Sequence, residues 1–241
     1  NDTPLIQHFN NIIFYHEIEP DNEMMKGGNI ISSPPFDQNP DGVIFYINKI
    51  DQSFHDFLEK LPQRHLGLNF PFHFREYKDS NPFRHIDEIM TFMPYGKGLF
   101  KVWIYGDIYI NSKKIAIPDE MKENYNNISN ILFGSNYELN RDKFVHFDLF
   151  LNSDYSLKFP SVFNRLYFET STEINCYFSD LIGERNQEIL KSELTRIKSF
   201  ISDLPKQINT YYINTNDLNA DGGQGGNLHC FIKNILVPPN P

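Results

Sequence analysis

The run from Gly222 to Cys230 (GGQGGNLHC) places a thiol directly after a glycine-rich stretch. Four of the five residues from Gly222 to Gly226 are glycine, so the backbone there can take positive φ and come close to a ligand. A cysteine in such a setting can serve as a nucleophile. A phosphate-cradling loop would call for a Lys-Ser/Thr pair and a helix to follow, which the sequence does not offer. The plainer alternative is a flexible turn ahead of a buried structural cysteine, and composition alone leaves it open. A second pair, His85 and Asp87 in the run FRHIDEI (83–89), is spaced so that both side chains would share one face of an extended segment. There the carboxylate would hold the imidazole's proton and suit it to proton transfer. Read as metal ligands they are only two, with no third nearby; read as a surface ion pair they do nothing. A third segment, Gly27 to Phe36 (GGNIISSPPF), is a glycine-rich entry to a strand that ends on two prolines.

These residues need elements to hold them. Val43–Ile47 (VIFYI) reads as a buried strand after the turn signal Asn39-Pro40-Asp41-Gly42. Phe54, Phe57, Leu58 and Leu61 recur at helical spacing, with Pro62 as the stop. Residues 99–105 and 143–151 read as strands, the first after the turn Tyr95-Gly96-Lys97-Gly98. The clearest helix spans 186–204, where Ile189, Leu190, Leu194, Ile197, Phe200, Ile201 and Leu204 gather mostly on one face before Pro205. Residues 208–213 and 228–232 close the series as strands. This rhythm implies an α/β or α+β domain with a mixed sheet, occupying 1–241 as a single unit.

Composition narrows the partners. The net charge of −9 disfavours a phosphate backbone, so nucleic acid is not an expected partner, whereas a cation such as a guanidinium is compatible. With 22 Phe and 13 Tyr the core is expected to be rich in rings. No stretch approaches the roughly 18 apolar residues of a membrane span. Two cysteines, Cys176 and Cys230, are too few for a disulfide scaffold, although they leave room for one bridge. The chain opens on Asn1 rather than Met, which reads either as the removal of an upstream segment or as one piece of a longer product. With the glycosylation-type triplets at Asn1 and Asn127 this leans toward a secreted or vesicular protein.

In this order the three segments resemble the C-terminal catalytic domain of the protein-arginine deiminases. Gly28-Asn29-Ile30 with Ser33-Pro34-Pro35 is similar to that family's glycine-asparagine strand and Ser-Pro-Pro turn. His85-Ile86-Asp87-Glu88 resembles its His-Val-Asp-Glu motif, and Asn227-Leu228-His229-Cys230, with Asn234 and Val237-Pro238 beyond, its terminal segment. The helix beginning at Asn186 resembles one that lies between the last two motifs. The resemblance runs over residues 27–241. The His-x-Asp-Glu and His-Cys motifs are shared with agmatine deiminases, and the Ser-Pro-Pro turn and the helix favour the protein-arginine branch.

The resemblance implies a pentein, an α/β propeller of pseudo-repeats around a central site, expected to be incomplete in this chain, with the N-terminal part of the ring missing or on another fragment. It implies hydrolysis of peptidyl-arginine to peptidyl-citrulline and ammonia. Cys230 would be the nucleophile, His85 the proton carrier, and Asp87 the guanidinium holder, with Gly226 and Asn227 lining the substrate's approach. The family's second guanidinium carboxylate sits on an upstream strand; residues 1–26 hold no matching pattern, which points to a fragment of the same precursor as its source. Calcium is the family's cofactor, but Ile31 stands where a calcium-ligating carboxylate would be, and an alkyl side chain offers no oxygen. Two other functions compete: deimination of a small guanidine such as agmatine or free arginine, and a non-catalytic pentein that binds without turnover.

Overall fold

The structure, a computed structural model, describes residues 30–47, 56, 58–69, 86–96, 99–163, 166–169, 172–179, 182–200 and 207–213. Within them one arrangement occurs three times. Strand β1 (Ile30–Ser32) pairs antiparallel with β2 (Val43–Ile47), Ile31 opposite Phe45. The chain then passes through helical Asp56 and Leu58 to β3 (Arg64–Leu68), which lies parallel to β2. In the second unit β4 (Met90–Gly96) is antiparallel to β5 (Leu99–Ile110), helix α1 (Asp119–Phe133) follows, and β7 (Phe144–Leu151) returns parallel to β5. A short strand, β6 (Lys113–Ile115), extends the second unit's sheet. In the third, β8 (Leu166–Glu169) is antiparallel to β9 (Glu173–Ser179), helix α2 (Glu184–Phe200) follows, and β10 (Gln207–Ile213) is parallel to β9. Each unit is thus a hairpin whose second strand is central, with a crossover to a parallel strand on its other side. A parallel neighbour cannot be reached by a tight turn, which is why each unit carries its connection at that point. The chain is a mixed α/β protein with three separate sheets.

Packing explains the local choices. All five residues of β2 are buried, so it reads as an unbroken apolar run. Val43, Phe45 and Ile47 face the main core, while Ile44 and Tyr46 meet Leu58 on the other side. Helix α1 buries Met121, Tyr125, Ile128 and Leu132, a stripe at helical spacing. It ends at Gly134, whose left-handed backbone (φ 72°) lets its N–H reach the Asn130 carbonyl at 3.0 Å. Helix α2 buries Leu190, Leu194 and Ile197, as its periodicity predicts. The expected wealth of rings is present: Phe163 meets Tyr105 at 4.6 Å and Phe147 at 5.6 Å between centroids.

Several expectations shift at their edges. The strand expected at 99–105 runs to Ile110, and the one at 143–151 begins at Phe144. The helix expected to reach Pro62 is already in a turn at Glu59 and Lys60. Helix α2 is described only to Phe200, and the strand expected at 228–232 lies outside the described residues.

Candidate functional site

Asp87 is the one proposed site residue that the structure describes. It does not sit in an extended segment. It occupies a 3-10 turn, Ile86–Glu88, closed by the Ile89 N–H donating to the Ile86 carbonyl at 3.0 Å. The same-face spacing expected of His85 and Asp87 in a strand therefore does not describe how Asp87 is presented. Ile86, Ile89 and Met90 are all buried in the main core, and they draw the turn inward until Asp87 is only 3 % exposed. Apolar anchors on either side thus hold a carboxylate out of bulk water, an arrangement that requires compensation from its surroundings.

The turn packs against β1 and β2 as well as β4. Strand β1 opens on Ile30, directly after Gly28-Asn29, so two of the three segments singled out in the sequence come together here. The Ser-Pro-Pro element has a visible task. Buried Ser33 accepts the Val43 N–H on Oγ at 2.9 Å, and its own N–H donates to the Val43 carbonyl at 2.9 Å. This ties the loop's two ends beside the Asp87 turn. His85, Gly226, Asn227 and Cys230 lie outside the described residues, as do Gly28 and Asn29. Cys176, the other thiol, is buried at 1 % exposure within β9.

The far end of the turn is braced by a residue with no signal in the sequence. The Ser161 hydroxyl donates to the Glu88 carbonyl at 2.8 Å and accepts the Phe163 N–H at 3.2 Å. The Tyr105 side chain lies close to Ser161. Burial pushes the Tyr105 phenol well above its ordinary value, with Glu88 adding to the push and Ser161 opposing it. It is a neutral hydroxyl at every physiological pH.

Two other polar groupings are built on strand β7 of the middle unit. His146 on β7 is hydrogen-bonded to the Tyr137 hydroxyl, and burial followed by the nearby Arg141 charge pulls its pKa down to about 4. Asp148, also on β7, pairs with Arg185 of α2, and burial raises its carboxyl against the opposing pull of Arg185. Neither grouping adjoins the Asp87 turn in sequence or sheet.

Ile31, at the position the resemblance associates with calcium, packs its alkyl side chain against the main core. Oxygen ligation does not fit there. Among the described residues no three His, Cys, Asp or Glu side chains come together as metal ligands, and no described helix is long and apolar enough to cross a membrane. The triplet at Asn127 has a structural reason for its serine. Ser129 is fully buried in α1, donates to the Ser135 carbonyl at 2.8 Å and accepts from Asn140 Nδ2 at 3.0 Å.

No family model matches the chain, and no curated protein matches it.

Proposed function

We propose that this chain is the C-terminal portion of a deiminase of the protein-arginine type, which hydrolyses a peptidyl-arginine guanidinium to a citrulline ureido group. The observation that supports it most is the burial of Asp87 in a turn packed on β1. A carboxylate fixed in a dry wall offers two oxygens in one plane, which matches two N–H groups of a guanidinium. The three repeated units support the propeller reading, in which such units surround a central site.

In this mechanism the Cys230 thiolate attacks the guanidinium carbon, and the C–N bond to one terminal nitrogen breaks as His85 delivers its proton, releasing ammonia. His85 then takes a proton from water, whose oxygen adds to the same carbon. The C–S bond breaks, the thiolate returns, and the ureido product leaves. Asp87 holds the remaining nitrogens throughout, and the cationic substrate favours the thiolate. A second carboxylate on the guanidinium's other side would come from an upstream segment of the same precursor.

The reading is tested on material that retains that segment. Intact mass after treatment with a 2-haloacetamidine should show one adduct on Cys230, absent in Cys230→Ala, and a blocked peptidyl-arginine should yield citrulline. Competition with agmatine ranks the small-guanidine alternative. A wild-type protein that neither labels nor turns over either substrate would leave only a binding role.

A further inference from the structure

Ser161 is 5 % exposed and lies just ahead of β8, in the third unit, whereas Glu88 ends the turn that leads into β4, in the second. The two are 73 residues apart in the chain and 2.8 Å apart in space. Counting protons settles the directions around this hydroxyl. Its single O–H goes to the Glu88 carbonyl, so a lone pair receives the Phe163 N–H. A buried serine with its donor and an acceptor position both engaged is a well-held point.

What that point holds is the Glu88–Ile89 peptide plane, at the end of the Asp87 turn. The turn has two ties: the Ile86 carbonyl receives the Ile89 N–H, and the Glu88 carbonyl receives Ser161. Together they fix the backbone on both sides of Asp87 and so the direction in which its side chain leaves. A carboxylate that must meet a planar guanidinium in a fork is sensitive to that direction, since a displacement of about 1 Å can lower a rate by about a hundredfold.

We infer that Ser161 is a positioning residue that aims Asp87 at the guanidinium group. The inference rests on the deiminase reading and goes beyond it by naming a residue outside the three motifs on which recognition of the cation depends. Ser161 touches no substrate. It acts only through the Asp87 turn, and it links that turn to the segment entering the third unit.

The experiment compares wild type, Ser161→Ala and Ser161→Cys, each with its upstream segment, using two alkylating reagents on Cys230. A 2-haloacetamidine resembles the guanidinium and needs Asp87; iodoacetamide is uncharged and does not. The expected result is haloacetamidine labelling slowed about tenfold in Ser161→Ala, iodoacetamide labelling unchanged, and a matching rise in KM for a blocked peptidyl-arginine. Ser161→Cys, which keeps the side chain's shape but offers only a weak donor to the Glu88 carbonyl, should shift the same selectivity by a smaller factor, and it carries the test if Ser161→Ala does not fold. Wild-type selectivity in the folded variants overturns the positioning role while leaving the deiminase reading intact. Equal slowing with both reagents, alongside a lower unfolding midpoint, assigns Ser161 a purely structural part and also overturns it. A wild type inert to haloacetamidine removes the deiminase reading, and the inference with it.

Discussion

Asn186 grips the backbone of Asp148 at both of its polar groups: its Oδ1 accepts the Asp148 N–H and its Nδ2 donates to the Asp148 carbonyl, each at 2.9 Å. Helix α2 of the third unit is thereby clipped to strand β7 of the second. The same device occurs one unit earlier. Asn124 of α1 accepts the Asn69 N–H at 3.2 Å and donates to the Asn69 carbonyl at 3.0 Å, clipping the second unit to the residue that follows β3 of the first. Both asparagines are buried in helices, where their intrinsic preference is poor. A side-chain amide presents one acceptor and one donor at the spacing of a strand edge, which explains why this residue type holds both joints.

Replacing either clip leaves a backbone N–H and a carbonyl without their partner. Asn186→Ala and Asn124→Ala are each expected to lower unfolding stability by about 2–3 kcal/mol. Urea denaturation read by circular dichroism checks this. A loss under about 0.5 kcal/mol for both would show that the joints do not depend on the amides.

Gly42 closes the loop beside the Asp87 turn with φ at 77°, and a Cβ built there would stand 2.6 Å from the Ser33 carbonyl oxygen. Gly134 at the end of α1 has a similar φ of 72°, but a Cβ there would meet nothing within 4 Å. Gly134→Ala should therefore cost only the left-handed conformation, about 1 kcal/mol. Gly42→Ala should cost more, about 2–3 kcal/mol, because backbone must move as well. The order of the two thermal midpoints is the check; a Gly42 variant as stable as the Gly134 variant would contradict the contact.

His146 gives stability a defined acid limb. Its folded pKa of about 4 lies below the ordinary 6.5 because of burial first and Arg141 second, with Asp107 opposing them. Below pH 6.5 the unfolded chain takes up a proton that the folded chain refuses, so stability falls as pH drops. Below about 4 both states are protonated and the contribution levels off. Within that window each pH unit removes up to about 1.4 kcal/mol. Denaturant melts from pH 7 to 4.5 should show a slope that His146→Gln flattens; the same slope in the variant would move the effect elsewhere.

Asp148 acts with the opposite sign. Burial raises its folded pKa, so its share of stability is present below the ordinary carboxyl value of 3.8 and is lost as pH rises through the folded value. Arg185 limits that rise, but its own side chain is 57 % exposed, so the pair is partly screened. In Arg185→Met the Asp148 carboxyl should titrate at higher pH, with about 1 kcal/mol less stability at neutrality. Carbon-13 titration of the carboxyl group measures it directly, and an unmoved curve would count against the pairing.

Asp87→Asn keeps size and removes charge at the turn. On the proposed mechanism it should depress citrulline formation and haloacetamidine labelling by about a hundredfold or more, while iodoacetamide labelling persists. Retained turnover would remove Asp87 from the site.

Much of the framework was legible in the chain. The unbroken run at 43–47 is β2 residue for residue, and the apolar stripe through Leu190, Leu194 and Ile197 is the buried face of α2. Strands β5, β7 and β10 fell where Phe, Val, Ile and Tyr concentrate. Helix α1 was harder to see. It has buried Met121, Tyr125, Ile128 and Leu132 at helical spacing, but four asparagines among its fifteen residues favour turns and obscure the pattern. Strand β4 was obscured by Pro94, a residue that argues against a strand. Asp87 was singled out by type and neighbour, but its 3-10 turn was not foreseen, because Ile86 and Ile89 take that shape on being buried together.

By itself the sequence determined which residues could do chemistry, which runs must be buried, and where turns interrupt them, since these follow from side-chain type and spacing along a few residues. Only the tertiary structure decided that the hairpin-crossover unit occurs three times, that asparagines clip one unit to the next, and that Ser161 stands behind the Asp87 turn. Those relationships join residues 38, 55 and 73 positions apart. Contacts at such separations leave no local period to read; they exist because burying one shared core brings the units together and obliges every backbone polar group at the joints to find a partner.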